Sequence, residues 1–205
     1  MAVITISRES GSGGREIAAL LSEKLNYKIF TKTVMMELAA RLEAGLSAQE
    51  QAAAPNILDE LIDRIAPTGR QEKTQTPAID FEKPLTIRQV RDLVMAAYQH
   101  DNMIIIGRGS QVILADKPDV LHVRVIAPVE KRVAVRAARE GLSLKEAQKK
   151  LADADKAHVD FVKNFFDVDN RDPLLYDLVI NTEKISMTAA ADLILLALEK
   201  ISKPE

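Results

Sequence analysis

Apolar positions along this chain recur with two different periods. Runs dense in β-branched residues at 3–7, 103–107, 120–126 and 178–181 read as strands, with a weaker fifth run at 27–30. Between them, apolar residues spaced three and four apart predict helices over 14–25, 33–44, 58–65, 86–99, 129–140, 144–165 and 188–201. Strands that alternate with helices build a parallel sheet covered on both faces, because every crossover lays a helix on the sheet. The unbroken run Met103, Ile104, Ile105, Ile106 fits a central strand buried on both sides. Residues 67–84 carry three prolines and break both periods. They predict a connection, either a solvated surface loop or a flap that closes over a ligand.

Composition narrows this to one α/β domain. With 205 residues, 47% of them hydrophobic, the chain buries a full core and leaves room for a small inserted lid. A formal net charge of −2 argues against nucleic acid or a membrane surface bound by bulk electrostatics. The absence of cysteine removes disulfides, thiol nucleophiles and cysteine-ligated zinc, and suits a reducing compartment. A cytoplasmic location is the expectation, since no leader pattern or membrane-length apolar run is evident. Homo-oligomerisation is left open.

The chemistry concentrates where the first strand meets the first helix. Ser10, Gly11, Ser12, Gly13 and Gly14 form a glycine-rich turn that can aim successive N–H groups at an anion, and the helix that follows adds the positive end of its dipole. Phosphate is the expected occupant; a tight turn without a ligand explains the same letters. The pattern G-x-x-x-x-G-K-[ST] fits poorly in either of two registers. One puts Arg8 at the first glycine, Gly13 at the second, Gly14 at the lysine and Arg15 at the hydroxyl. The other puts Glu9, Gly14, Arg15 and Glu16 at those places, so that Arg15 holds phosphate and Glu16 approaches Mg²⁺.

Further cations follow the strands. Gly107, Arg108, Gly109, Ser110 sit at a strand's carboxyl end, where open α/β sheets bind ligands, so Arg108 is placed to meet an anion; an ordinary strand-to-helix turn with a surface arginine explains the same letters. Ile106 stands where such sites carry a Mg²⁺-positioning aspartate. In the helix at 129–140, Arg132, Arg136 and Arg139 share a face, either to neutralise a transferring phosphoryl group or as a solvated charge run paired with Glu130 and Glu140. The segment 151–171 mixes many charges with Phe161, Phe165 and Phe166. It reads as a lid helix whose phenylalanines dock on the core. The three histidines, His100, His122 and His158, show no metal-ligand spacing, and no side-chain metal site is predicted.

Together the runs ITISRESGSGGREIA, IIIGRGSQVIL, VRVIAPVEKRVAVR, DADKAH and YDLVINT resemble the cytidylate kinase-like family. The likeness is weakest between residues 46 and 85. The resemblance implies a P-loop NTPase-type parallel sheet with helices on both faces, a monophosphate-side insertion at about 45–85 and a helical lid at about 140–172. It implies transfer of the ATP γ-phosphate to CMP or dCMP with Mg²⁺. Carried over by position, Ser10, Gly11, Ser12, Gly13, Gly14, Arg15 and Glu16 would wrap the donor phosphates. Arg108 would grip the acceptor phosphate, and Arg132 and Arg136 match the helix leading into the lid; with Arg15 they are the candidate catalytic residues. Asp155 matches a lid aspartate that helps to hold the nucleotide; three residues on, where the family pattern has arginine, stands His158. Tyr176, Asp177 and Asn181 match a signature that fixes the last strand. Two readings compete with the CMP kinase: a fold that binds a nucleotide without transferring phosphate, and a kinase of another small acceptor.

Overall fold

The computed structural model describes residues 2–45 and 85–201 and, between them, residues 59, 61–63, 65, 66 and 68. Strand β1 (Val3–Arg8) leads through the glycine turn into α1 (Gly14–Leu25), then β2 (Lys28–Phe30) and α2 (Lys32–Gly45). After residues 59–68 come α3 (Ile87–His100), β3 (Met103–Ile106), the short α4 (Ser110–Ile113) and β4 (Val120–Ile126). Helices α5 (Val129–Glu140) and α6 (Leu144–Phe166), strand β5 (Leu178–Asn181) and α7 (Met187–Ile201) complete the order.

All five strands are parallel, in the order β2-β3-β1-β4-β5. Alternation along β1 sends Ile4 and Ile6 to the face covered by α1 and α7, where they meet Ile17, Leu21 and Ile194. Val3 turns to the other face and packs with Met35, Leu38, Val94 and Ile105 under α2 and α3. The chain leaves β1 toward β2, returns as β3, then crosses β1 to form β4. β1 is therefore the point at which strand order reverses, and the crevice beyond its carboxyl end is where such sheets take ligands.

The predicted strands all form, and α1 and α5 have the predicted bounds. Capping explains where two long helices start. Thr86 with Gln89, and Ser143 with Glu146, form reciprocal capping boxes ahead of α3 and α6. Two elements escape periodicity because each is too short to show a period: α4 and the 3₁₀ turn Pro173–Leu175. Most of the expected helix at 58–65, the connection at 67–84 and the insertion at 45–85 lie outside the described residues. Ile62, Ile65 and Ala66 are buried in the α2–α3 core, and Lys28 bridges antiparallel to Thr68.

Candidate phosphate-binding site

The glycine turn is held from beneath by hydroxyls. Ser12 is buried; its hydroxyl shares its one proton between the carbonyls of Glu9 (2.9 Å) and Val125 (3.0 Å), and its N–H donates to Glu9 O (3.2 Å). Thr182, just after β5, donates from Oγ1 to Ser12 O (2.9 Å). The Ser12 hydroxyl is thus committed to shaping the loop, and what Ser12 offers a ligand is the shape of the turn. Gly11 and Gly13 both take φ +85°, a conformation costly for any residue with a Cβ. Gly13 sits at the N-cap of α1 without a side-chain cap, so the first turn leaves N–H groups facing out of the helix end. The register that makes Gly13 the second glycine of the phosphate pattern is the one whose second glycine takes a positive φ.

A cavity of about 340 Å³ opens over this turn. Arg8, Arg15, Lys131 and Arg139 supply its positive charge, and Glu9, Glu16 and Asp155 its negative charge. Two of those carboxylates are already engaged. Glu9 Oε2 accepts from Ala127 N (3.2 Å) and lies 3.4 Å from Arg132 Nε, while Asp155 Oδ2 takes Arg132 Nη1 at 2.7 Å. Arg15 and Glu16 are exposed on the first turn of α1, at the rim.

Arg132 and Arg136 differ in their surroundings although they are one helical turn apart. Arg132 is 7% exposed and bound on several sides: to Asp155, to Glu9, to Ala127 O at 3.0 Å and to Ser10 O at 3.4 Å. It ties the glycine turn to α6. Arg136 reaches Ser10 Oγ and Lys150 O and pairs with Glu140 at 3.2 Å. Arg139 is exposed against Glu140. The predicted shared face exists, but burial divides its roles.

At the carboxyl end of β3, Gly107, Arg108 and Gly109 all have positive φ, +74°, +62° and +69°. For Arg108 this strain costs about 1–3 kcal/mol and must be held by its surroundings. Its guanidinium lies 5.2 Å from the centre of Phe161 on α6, while Phe166 fills the space above Gly109, where a Cβ would collide with it. Lys32 at the start of α2 and Arg8 both feel the Arg108 charge. Burial holds Arg108 and Lys32 below their ordinary pKa values, with the Arg108 charge adding to the effect on Lys32.

His158, on α6, feels the charges of this cationic cluster. Burial pushes its pKa down, as do the charges of Arg8, Arg124 and Arg108, against the opposing pull of Asp155. Its Nε2 is buried with no hydrogen-bond partner among the described residues. Beneath the cluster, buried Arg124 donates to Asn170 O (2.7 Å) and lies 3.9 Å from Glu9 Oε1; Tyr176 Oη donates to Asn170 O (2.7 Å) and lies 3.1 Å from Ser7 Oγ. Asp177 accepts from His122 N at 2.7 Å, and Asn181 from Glu183 N at 3.0 Å, so these three signature residues brace the end of the sheet. Sequence reading missed Arg8, Lys32 and Arg124 as members of the site. A charge at the end of an apolar strand marks Arg8, and one inside an apolar strand marks Arg124. Nothing local marks Lys32.

Among the described residues no three metal-ligating side chains cluster. Mg²⁺ ordinarily binds through one or two carboxylates together with substrate phosphates and water. Glu16 is the carboxylate at the cavity not engaged by Arg132, and it fits that sparse requirement.

A five-stranded parallel sheet with a glycine turn on its central strand and a helical pair above it is a P-loop kinase-type fold. An uncharacterized protein from Eubacterium ventriosum shares the fold with a TM-score of 0.67 at 21% identity, over 97% of this chain and 99% of that one. So does shikimate kinase from Acinetobacter baumannii, in complex with shikimate: TM-score 0.51, 16% identity, over 99% and 96% of the two chains. The sequence model of the cytidylate kinase-like family matches residues 3–184, and the chain belongs to that family. Cytidylate kinase of Methanosarcina mazei is 24% identical over 203 residues, 98% of this chain and 99% of the relative. That of Thermococcus sibiricus is 29% identical over 185 residues, 89% and 80% respectively.

Proposed function

We propose that the protein is a nucleotide kinase that moves the ATP γ-phosphate to CMP or dCMP. The observation that carries this reading is one edge of the sheet at which an uncapped helix N-terminus, a glycine turn and cations following three separate strands converge. Phosphoryl transfer asks for that arrangement: alignment and positive charge rather than a covalent protein intermediate. The turn from Ser10 to Glu16 would bind donor phosphates through its backbone, with Arg15 adding charge from the rim. Arg108, pinned by Phe161, would grip the acceptor phosphate. Arg136 is the helix α5 arginine nearest to a free role at the transferred group, since Arg132 holds the turn to the lid. Asp155 and His158 would face the nucleoside from the lid, with the unpartnered His158 Nε2 as a hydrogen-bonding group for it. Mg²⁺, held by the phosphates and Glu16, would supply charge between donor and acceptor. Residues about 140–172 serve as the lid and about 45–85 as the monophosphate-side insertion.

The reading is tested by incubating purified protein with Mg·ATP and, separately, CMP, dCMP, UMP, AMP and GMP, and separating the products. Diphosphate from CMP or dCMP that disappears in Arg108→Ala is the expected result. A second reading, nucleotide binding without transfer, is favoured by buried Ile106 in the aspartate's place and by the engagement of Arg132 with Asp155. Tight ATP binding with no product from any acceptor would select it.

A further inference from the structure

The cation missing from the glycine turn is not absent from the site; it enters from the strand. Gly14 occupies the lysine's place in the phosphate pattern, and a Cβ on Gly14 would lie 2.9 Å from both Cβ and Cδ of Arg8. The aliphatic stem of Arg8 therefore runs across the position from which a lysine side chain would start. Its Nη1 extends to 3.6 Å from where a Cβ of Gly107 would be, so the guanidinium reaches the turn that carries Arg108. Arg8 is the last residue of central strand β1, at the place the pattern gives to its first glycine. Glycine and cation have exchanged ends of the motif.

The surroundings of Arg8 suit an anion. Its pKa is pushed down to about 10, first by burial and then by the charges of Arg15 and Arg108, and it remains cationic at neutral pH. Among the described residues no hydrogen bond or ion pair holds its guanidinium. A half-buried guanidinium repelled by two others and matched by no carboxylate among the described residues lacks the partner that charges withdrawn from water ordinarily have. The cavity it lines has the uncapped end of α1 as its other wall.

We infer that Arg8 takes the part of the phosphate-loop lysine, binding a polyphosphate between the glycine turn and Arg108, and that Gly14 lacks a side chain so that Arg8 can cross it. This rests on the kinase reading only for the identity of the polyphosphate. Planar and bidentate, an arginine there can span two phosphoryl oxygens where lysine acts as a point charge.

The test is calorimetric binding of inorganic tripolyphosphate, and of ADP, to the full chain, with thermal unfolding as the check on folding. Arg8→Gln is expected to weaken both ligands about 10- to 100-fold, the range of a hydrogen bond to a charged group. Arg15→Gln, at the exposed rim, should cost less. The exchange itself gives the sharper readout. Gly14→Lys alone should weaken binding, since the new side chain collides with the Arg8 stem. Arg8→Gly with Gly14→Lys moves the cation back to the helix and should recover affinity above either single variant. That recovery decides the matter even if Arg8→Gln alone does not fold. A folded Arg8→Gln that binds as the unaltered chain does, a double variant no better than its parents, or an unaltered chain that binds no tripolyphosphate would each overturn the assignment. Arg8-dependent tripolyphosphate binding in a protein that phosphorylates no nucleotide would leave it standing and remove the kinase reading instead.

Discussion

His158 shows what one side chain carries in this site. Its folded pKa lies below the ordinary 6.5 because burial and the neighbouring arginines disfavour the imidazolium. The unfolded chain therefore binds a proton that the folded chain refuses, and stability falls as pH drops from about 6.5 toward the lowered folded value. Above 6.5 the contribution is complete. His122, also lowered by burial, adds to the same slope. Thermal unfolding between pH 7.5 and 5.5 should show a decline that is shallower, though not absent, in His158→Gln. Saturating tripolyphosphate should flatten the decline in the unaltered chain and change it less in the variant, because the bound anion offsets the arginine charges. An equal slope in both proteins would remove His158 from the cationic cluster.

At the scale of elements, α6 joins the two halves of the site. Its early turns pack Ala147 and Leu151 against Val133 and Ala137 of α5, and Arg132 pairs with its Asp155. Its last turns lay Phe161 on Arg108 and Phe166 on Gly109, with Arg91 5.7 Å from the Phe166 ring centre. The helix thus reaches both the glycine turn and the strand end that carries Arg108. Phe161→Leu keeps apolar volume but removes the cation–π contact, a loss of about 0.5–2 kcal/mol, and unpins a strained arginine. Steady-state kinetics should show KM for the nucleoside monophosphate raised roughly 2- to 30-fold on that energy scale, with KM for ATP little changed. Equal rises in both constants would mean that α6 acts on the whole cavity instead of on Arg108. The sequence pattern announced this helix and its apolar edge. Periodicity describes a face, however, and leaves open what the face covers.

The whole molecule holds a local excess of positive charge inside a chain of net charge −2. Arg8, Arg15, Arg108 and Lys32 crowd the carboxyl edge of the sheet, and their mutual repulsion opposes folding until an anion arrives. Sulfate or phosphate should therefore raise Tm more than sodium chloride at matched ionic strength, and the difference should shrink in Arg8→Gln. A chloride effect as large as that of sulfate would reduce the cluster to general screening. Much of this architecture is legible locally. Strand runs, helix periods and the strand–glycine turn–helix junction are written in consecutive residues, so the bounds of α1 and α5 follow from the letters alone. The expectation that the turn takes an anion arises for the same reason, as glycines and a helix start lie side by side. The distribution of the arginines is not. Arg132 and Arg136 look alike four residues apart, yet one is buried by Asp155, twenty-three positions away, and by Glu9, near the start of the chain. Arg8 reads as a misfit at a glycine's place, and only packing lays its stem over Gly14 and its head beside Gly107. Parallel crossovers bring the ends of β1, β3, β4 and β5 together from positions more than 170 residues apart. Which charge faces which at that edge depends on strand register and helix docking, and neither is a property of any single stretch of chain.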